Sequence, residues 1–435
     1  MKNNSRREFI RQLSLAALAA PVAVHTLRAG PDDAAISPED QQVLDLINAN
    51  RPSRLAKLPA DFNARFGATH SDGKYFLTRK PFLIEGAEKL IELGTRLGKF
   101  WFALDATNKF YSFNSHWPDC HNLVELAKTD YFQAVWQMPF QTIMLTTTAP
   151  SEKGWRHPNL GKDFYERITQ DYYDLAAFFY KRFGDRDITV ILQNWEGDWM
   201  LRGIGKPWNP PDSDWRERCE QMQRWIMARQ AGVNQARAEF AKKSKCVVAL
   251  CVEVNRVADA WKGIPTVTRN VLPGVEVDLI SYSAYDGINS GDPILFWKCL
   301  KEIQHYARTG PLFGPAAVAV GEYGVAENDK HSKTNPEKQT PARIRERYDQ
   351  MLGVMLLLKV RYAAMWELYC NELVGKPAVP PPMPVTDPEL LRGFWLVKPD
   401  GSLSVAGKYF TELWHRAEPN GKWQVSAQKR LHKAN

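Results

Sequence analysis

"VILQNWEGDWM", Val190 to Met200, begins as a buried strand and ends on groups a buried strand avoids. Aliphatic residues give way to Gln193, Asn194 and Trp195, then to Glu196 and Asp198 beside two tryptophans. A carboxylate is among the costliest groups to bury, so it needs a partner, a pocket or a chemical task. "AVAVGEYGV", Ala317 to Val325, repeats the pattern: an apolar run stops at Glu322 within a glycine-flanked turn. Two separate strands therefore each end on a glutamate.

Working outward from Val190, short apolar runs recur at Arg65–Thr69, Lys99–Leu104, Thr142–Thr147, Ile188–Asn194, Val247–Val254, Val277–Ser283, Ala317–Glu322 and Tyr362–Leu368. Stretches of helical period separate them. "GAEKLIELGTRLG" (Gly86–Gly98) is one, with its last glycine as terminator. "DPILFWKCLKEIQHYAR" offers Asp292 as N-cap and Pro293 at the first helical position. Eight strands alternating with helices require parallel pairing, since each crossover returns the chain to the same edge. The expectation is a single (β/α)8 TIM barrel, whose chemistry sits at the C-terminal ends of its strands. A doubly wound open sheet is the alternative, but it lacks a Gly-rich phosphate turn after the first strand. In the barrel, Glu196 and Glu322 end the fourth and seventh strands at one mouth.

The first thirty residues stand apart. "SRREFIRQLSLAALAAPVAV" carries Arg6 and Arg7 ahead of an apolar stretch too short to span a bilayer comfortably. It resembles a bacterial twin-arginine export signal. The expected division is an export signal over 1–30, a lead-in over 31–60, the barrel over 61–418 and a tail over 419–435. The translocase is then a partner during export, the mature protein is periplasmic or secreted, and no stable membrane association follows cleavage.

Composition excludes some classes. The chain has 435 residues, 44% hydrophobic and 24% charged, which is ordinary globular composition. Its formal charge is +8, but Lys2, Arg6, Arg7, Arg11 and Arg28 against Glu8 put +4 of that in the first thirty residues. The remaining +4 shows no basic run, so nucleic-acid binding is not expected. Six scattered cysteines form no CxxC pair and suggest neither a zinc ribbon nor a disulfide scaffold. His70-x-Asp72 follows the first strand as a metal pair would, but the later strands supply no matching histidines. No metal or other cofactor is expected, and a metal-dependent hydrolase is the weaker reading.

Two carboxylates across one mouth suit glycosidic hydrolysis, in which one donates a proton and the other attacks carbon or activates water. The layout resembles the clan A glycoside hydrolases. "GEYG" (Gly321–Gly324) is similar to that clan's nucleophile motif, and "MWELY" (Met365–Tyr369) to its eighth-strand segment. "SAYD" (Ser283–Asp286) is similar to its sixth-strand segment. The resemblance implies Glu322 as nucleophile, Glu196 as acid/base, Tyr285 as a contact of the nucleophile and Trp366 as a sugar platform. It implies retention on a β-linked oligo- or polysaccharide. Two places depart from the pattern: Trp195 separates Asn194 from Glu196, and Ser283 stands where a histidine is usual. Either the fourth strand bulges at Trp195 or Asn194 points elsewhere.

Asp198 competes with Glu196, because residues two apart on a continuing strand share a face. Glu253, in "CVEVN", is a further candidate, with a paired structural role as its rival. Asn194, His70, His116, Trp117 and Trp199 are expected to line the substrate site; Trp155 and Trp208 are weaker candidates, and core packing is the plain alternative for each tryptophan. A barrel that binds glycans without cutting them remains the non-catalytic reading.

Overall fold

The computed structural model describes residues 36–105, 107–328 and 340–418. The export signal (1–30) and the tail (419–435) lie outside the described residues. Eight parallel strands close into one barrel in chain order. They are β1 (Phe66–His70), β2 (Leu97–Ala103), β3 (Thr142–Thr148), β4 (Ile188–Gln193), β5 (Cys246–Val254), β6 (Leu279–Ser283), β7 (Val318–Tyr323) and β8 (Ala363–Met365). Closure is by the β1–β8 pair, with Ala68 beside Met365. The (β/α)8 expectation holds. No helix among the described residues is long and apolar enough to cross a membrane.

Helices surround the strands. The long ones are α1 (Pro38–Ala49), α2 (Phe82–Leu93), α3 (Asp130–Gln137), α4 (Lys162–Phe183), α5 (Trp215–Phe240), α6 (Pro293–Tyr306), α7 (Pro341–Leu357) and α8 (Val405–Ala417). Asp292 caps α6 through the Ile294 N–H at 2.8 Å, with Pro293 at its first position. The glycine expected to stop α2 is a different one. Gly94 takes φ 107° and ends the helix, while Gly98 already lies in β2. A left-handed residue closes a helix, so the earlier glycine wins. Between β5 and β6 only short helical turns intervene.

Inside the barrel, alternate strand residues form layers. Leu97, Met144, Ile191, Cys251, Leu279, Ala319 and Ala364 meet as a dry floor, closed at one side by Tyr362. Two residues further along these strands come Lys99, Thr146, Gln193, Glu253, Ser281 and Gly321, on the same inward side by the two-residue period. The barrel thus changes from apolar to polar within one strand repeat. That step sits directly beneath the mouth.

Candidate active site

Glu322 reaches the mouth because β7 carries an extra residue. Ser281 pairs with Ala319, but Ser283 pairs with Glu322, so one β6 residue spans two on β7. The same shift appears against β8, between Val320 and Tyr323. A bulge of this kind turns two successive residues to one side. Gly321 and Glu322 both face inward as a result, and Tyr323 packs outward against Tyr348 and Phe410. Gly321 has no room for a side chain: a Cβ there would lie 2.3 Å from Ser281 Oγ and 2.4 Å from Glu253 Oε1.

Glu196 arrives differently. β4 ends at Gln193, and Glu196 is the residue before the short helix Gly197–Arg202. Its Oε1 accepts a 2.8 Å hydrogen bond from Ser283 Oγ, the cross-strand neighbour of Glu322. Its backbone N–H donates to Glu253 Oε2 at 3.0 Å. Both glutamates are nearly closed off, at 7% and 4% exposure for Glu196 and Glu322.

Lys99 ties the group together. Fully buried on β2, its ammonium donates to Glu322 Oε1 at 2.9 Å and to the Gly321 carbonyl at 3.1 Å, and stands 3.6 Å from Glu253 Oε1. Burial works against its charge, but the Glu253 and Glu322 carboxylates outweigh that and raise its pKa. Glu196 moves the opposite way from an ordinary carboxylic acid. Burial pushes its pKa well up, and the charges of Glu322 and Glu253 push it further, against Ser283 and Lys99. Burial and like charge thus favour the protonated form of Glu196, while Glu322 keeps a cation beside it.

Asp198, the rival carboxylate, is fully occupied elsewhere. Its Oδ2 accepts from the backbone N–H groups of Asn255 (3.0 Å) and Arg256 (3.2 Å), and its Oδ1 from Val267 N–H (2.9 Å). Arg202 stands 3.6 Å away. It fastens the Gly197–Arg202 helix to the loops after β5. Glu196 and Asp198 do not share a strand face, because the strand stops at Gln193, short of Asn194 and of both carboxylates. Asn194 instead pairs with the Glu253 backbone, donating to its carbonyl and accepting from its N–H at 3.1 Å each. Its amide extends the β4–β5 ladder by one step and is not left for substrate. The bulge weighed for β4 is found on β7.

His70 also lies away from the mouth. Its Nε2 is 2.8 Å from the Phe82 carbonyl on α2, and its ring packs against Phe82, Tyr111 and Tyr369. Full burial lowers its pKa to about 4. A histidine enclosed in this way is placed neither to touch substrate nor to ligate with Asp72.

Tyr285 begins a helical turn just after β6 and lies close to the pair. Burial, then the Glu322 carboxylate, raise its hydroxyl well above the usual phenol range. Trp366 follows β8 at 6% exposure, its N–H donating to the Tyr323 carbonyl at 2.9 Å. Trp117 and His116 stand in the loop after β2. The Trp117 ring is 4.4 Å from Tyr131, whose hydroxyl accepts the His116 N–H at 2.8 Å. Trp199 is half-buried under the Arg256 guanidinium, 5.3 Å from its ring. Trp155 and Trp208 are buried, the former stacked on Trp225 at 5.2 Å.

Sequence reasoning missed Lys99, Ser283 and the central position of Glu253. The available signal was parity: all three lie an even number of residues from floor positions Leu97, Leu279 and Cys251 on their strands.

No protein-family model matches the chain, and no curated protein matches it in sequence. Solved structures are similar to it only at a distance. The β-glucuronidase of Bacteroides uniformis is 12% identical with a TM-score of 0.47, over 80% of this chain and 34% of that one. The GH5-4 broad-specificity endoglucanase from Clostridium longisporum is 12% identical with a TM-score of 0.43, over 83% and 98%. GH5_18 from Streptomyces cattleya, in complex with GlcNAc, is 13% identical with a TM-score of 0.47, over 84% and 82%. The chain spans about a third of the length of the β-glucuronidase it matches. Function therefore rests on the site itself.

Proposed function

We propose that this chain is a retaining glycoside hydrolase acting on a β-linked glycan or glycoside, with Glu322 as nucleophile and Glu196 as acid/base. The observation that carries the reading is the unequal surroundings of two buried carboxyls: Glu196 accepts from Ser283 Oγ, whereas Glu322 is bonded to the Lys99 ammonium. In the first step Glu196 gives its proton to the leaving oxygen while Glu322 attacks the anomeric carbon. The Lys99 bond occupies Oε1 of Glu322, which leaves Oε2 to form the glycosyl ester. In the second step Glu196, now ionised, takes a proton from water as that water attacks the same carbon, and the ester bond to Glu322 Oε2 breaks to return its carboxylate. Ser283 steadies Glu196 through both steps by donating to Oε1.

Retention is favoured over inversion because Ser283, which holds Glu196, is the strand partner of Glu322. A retaining pair stands ~5–5.5 Å apart, whereas an inverting pair needs ~6.5–9.5 Å for water. The reading includes export through the twin-arginine pathway, supported by Arg6 and Arg7 ahead of the apolar stretch.

A panel of β-linked aryl glycosides and polysaccharides tests the proposal. The purified protein is expected to cleave at least one member, and Glu322→Gln to lose about 10⁴-fold or more in kcat while melting at nearly the same temperature. A folded wild-type protein inert across the panel would favour a glycan-binding barrel instead.

A further inference from the structure

Glu253 is the third carboxyl in the polar layer, 0% exposed, and the proposed reaction gives it no task. Each polar group around it donates. Oε1 accepts from Gln193 Nε2 at 3.0 Å and Ser281 Oγ at 3.4 Å, with Lys99 Nζ at 3.6 Å. Oε2 accepts the Glu196 N–H at 3.0 Å. Such a shell favours the ionised carboxylate, which accepts on both oxygens.

Neutralising Lys99 is a task Glu253 shares with Glu322. Glu322 Oε1 and the Gly321 carbonyl already serve the ammonium at shorter distances, 2.9 and 3.1 Å. What Glu253 alone supplies is the anchor for the Glu196 main chain, and its charge adds to that of Glu322 beside Glu196. We propose that Glu253 is a positioning residue for the same site: it holds the Glu196 main chain on one oxygen and faces Lys99 with the other, and its charge, added to that of Glu322, helps Glu196 keep its proton. The inference rests on reading Glu196 as the acid.

The physical chain is short. Burial first, and Glu322 next among the charges that raise it, push Glu253 up to about 7 against the pull of Lys99, the Glu196 N–H and Gln193. Glu253 therefore ionises as pH rises through neutrality. The new charge repels a charge on Glu196 and holds its proton to higher pH. Glu196 is faced by Glu322 from β7, Glu253 from β5, Ser283 from β6 and Lys99 from β2, with Tyr285 after β6 also near. Glu253 is faced by Lys99, Glu322, Gln193, Ser281 and the Glu196 N–H, and by Cys251 on its own strand.

The test titrates the full chain labelled with carboxyl-¹³C glutamate, the Glu196 signal being assigned by its loss in Glu196→Gln. In Glu253→Gln the Glu196 midpoint should fall by about one pH unit or more, the size of a like-charge effect at contact range. An unmoved midpoint overturns the proposal. If Glu253→Gln does not fold, the wild-type curve decides: the Glu196 signal should carry a second inflection as Glu253 ionises, and a single inflection counts against it. The kinetic counterpart is a downward shift of the alkaline limb of kcat/KM in Glu253→Gln. A loss uniform across pH would mark Glu253 as merely structural. A wild-type protein that cleaves nothing would fail the hydrolase reading, and the titration would still decide this one.

Discussion

The floor of the barrel and the layer above it belong to the same strands and differ by two residues. Below, Leu97, Met144, Ile191, Leu279 and their neighbours satisfy one another by contact alone. Above, Lys99, Gln193, Glu253 and Ser281 need directed partners, and not every atom finds one. Gln193 Oε1 and Thr146 Oγ1 are buried without a hydrogen-bond partner among the described residues. Apolar packing tolerates approximate shape, whereas a buried polar layer is costly wherever one partner is missing. The floor should thus carry stability and the upper layer chemistry, and substitutions in the two should separate cleanly.

The largest effect expected lies in the upper layer. Glu196→Ala should lose about 10²–10⁴-fold on glycosides with poor leaving groups and far less on activated aryl glycosides. Azide should restore turnover as the β-glycosyl azide, because a small anion replaces the water that Glu196 would have activated. Asp198→Ala should show neither behaviour. It should instead cost about 3–5 kcal/mol of stability, read by urea melts, since three backbone N–H groups lose their acceptor. If Asp198→Ala shows the leaving-group dependence and Glu196→Ala does not, the acid has been assigned to the wrong residue.

A floor substitution should do the reverse. Ile191→Ala is expected to cost about 3 kcal/mol as the transfer and cavity terms add, with kcat/KM of the folded protein little changed. A large kinetic loss at unchanged stability would erase the distinction between the layers.

His70 supplies the smallest and most gradual effect. Its folded pKa, about 4, lies below the value of about 6.5 expected unfolded. The stability that comes from its neutral form is complete above 6.5 and drains as pH falls towards 4. About 2 kcal/mol should be gone by pH 5. His70→Asn should start less stable but lose that part of the acid slope in pH-dependent melts; an unchanged slope would mean another group is responsible.

Much of this was legible in the chain because parallel barrel strands are buried on both faces and read as apolar runs. The runs ending at Gln193 and Tyr323 also advertise their carboxylates at once. What was hidden depended on register. One extra residue on β7 turns Glu322 inward, and an apolar run does not display a bulge. His70 was expected at the mouth because it ends β1, but its side chain packs on α2. Asn194 was expected to face substrate because β4 was read one residue too long. Lys99 lay inside a run already read as strand, where its even spacing from Leu97 mattered more than its charge.

The central claim is that Glu322 forms a covalent bond to sugar while Glu196 manages the proton. Its most direct test is mass spectrometry of the protein after incubation with a set of 2,4-dinitrophenyl 2-deoxy-2-fluoro-β-glycosides. The fluorine slows both steps, and the activated leaving group restores the first, so an ester intermediate accumulates. The expected result is one added fluoroglycosyl group, located on the peptide carrying Glu322 and absent from Glu322→Gln. An active enzyme that takes its label on another residue, or that releases product with inverted configuration and takes none, would contradict the account.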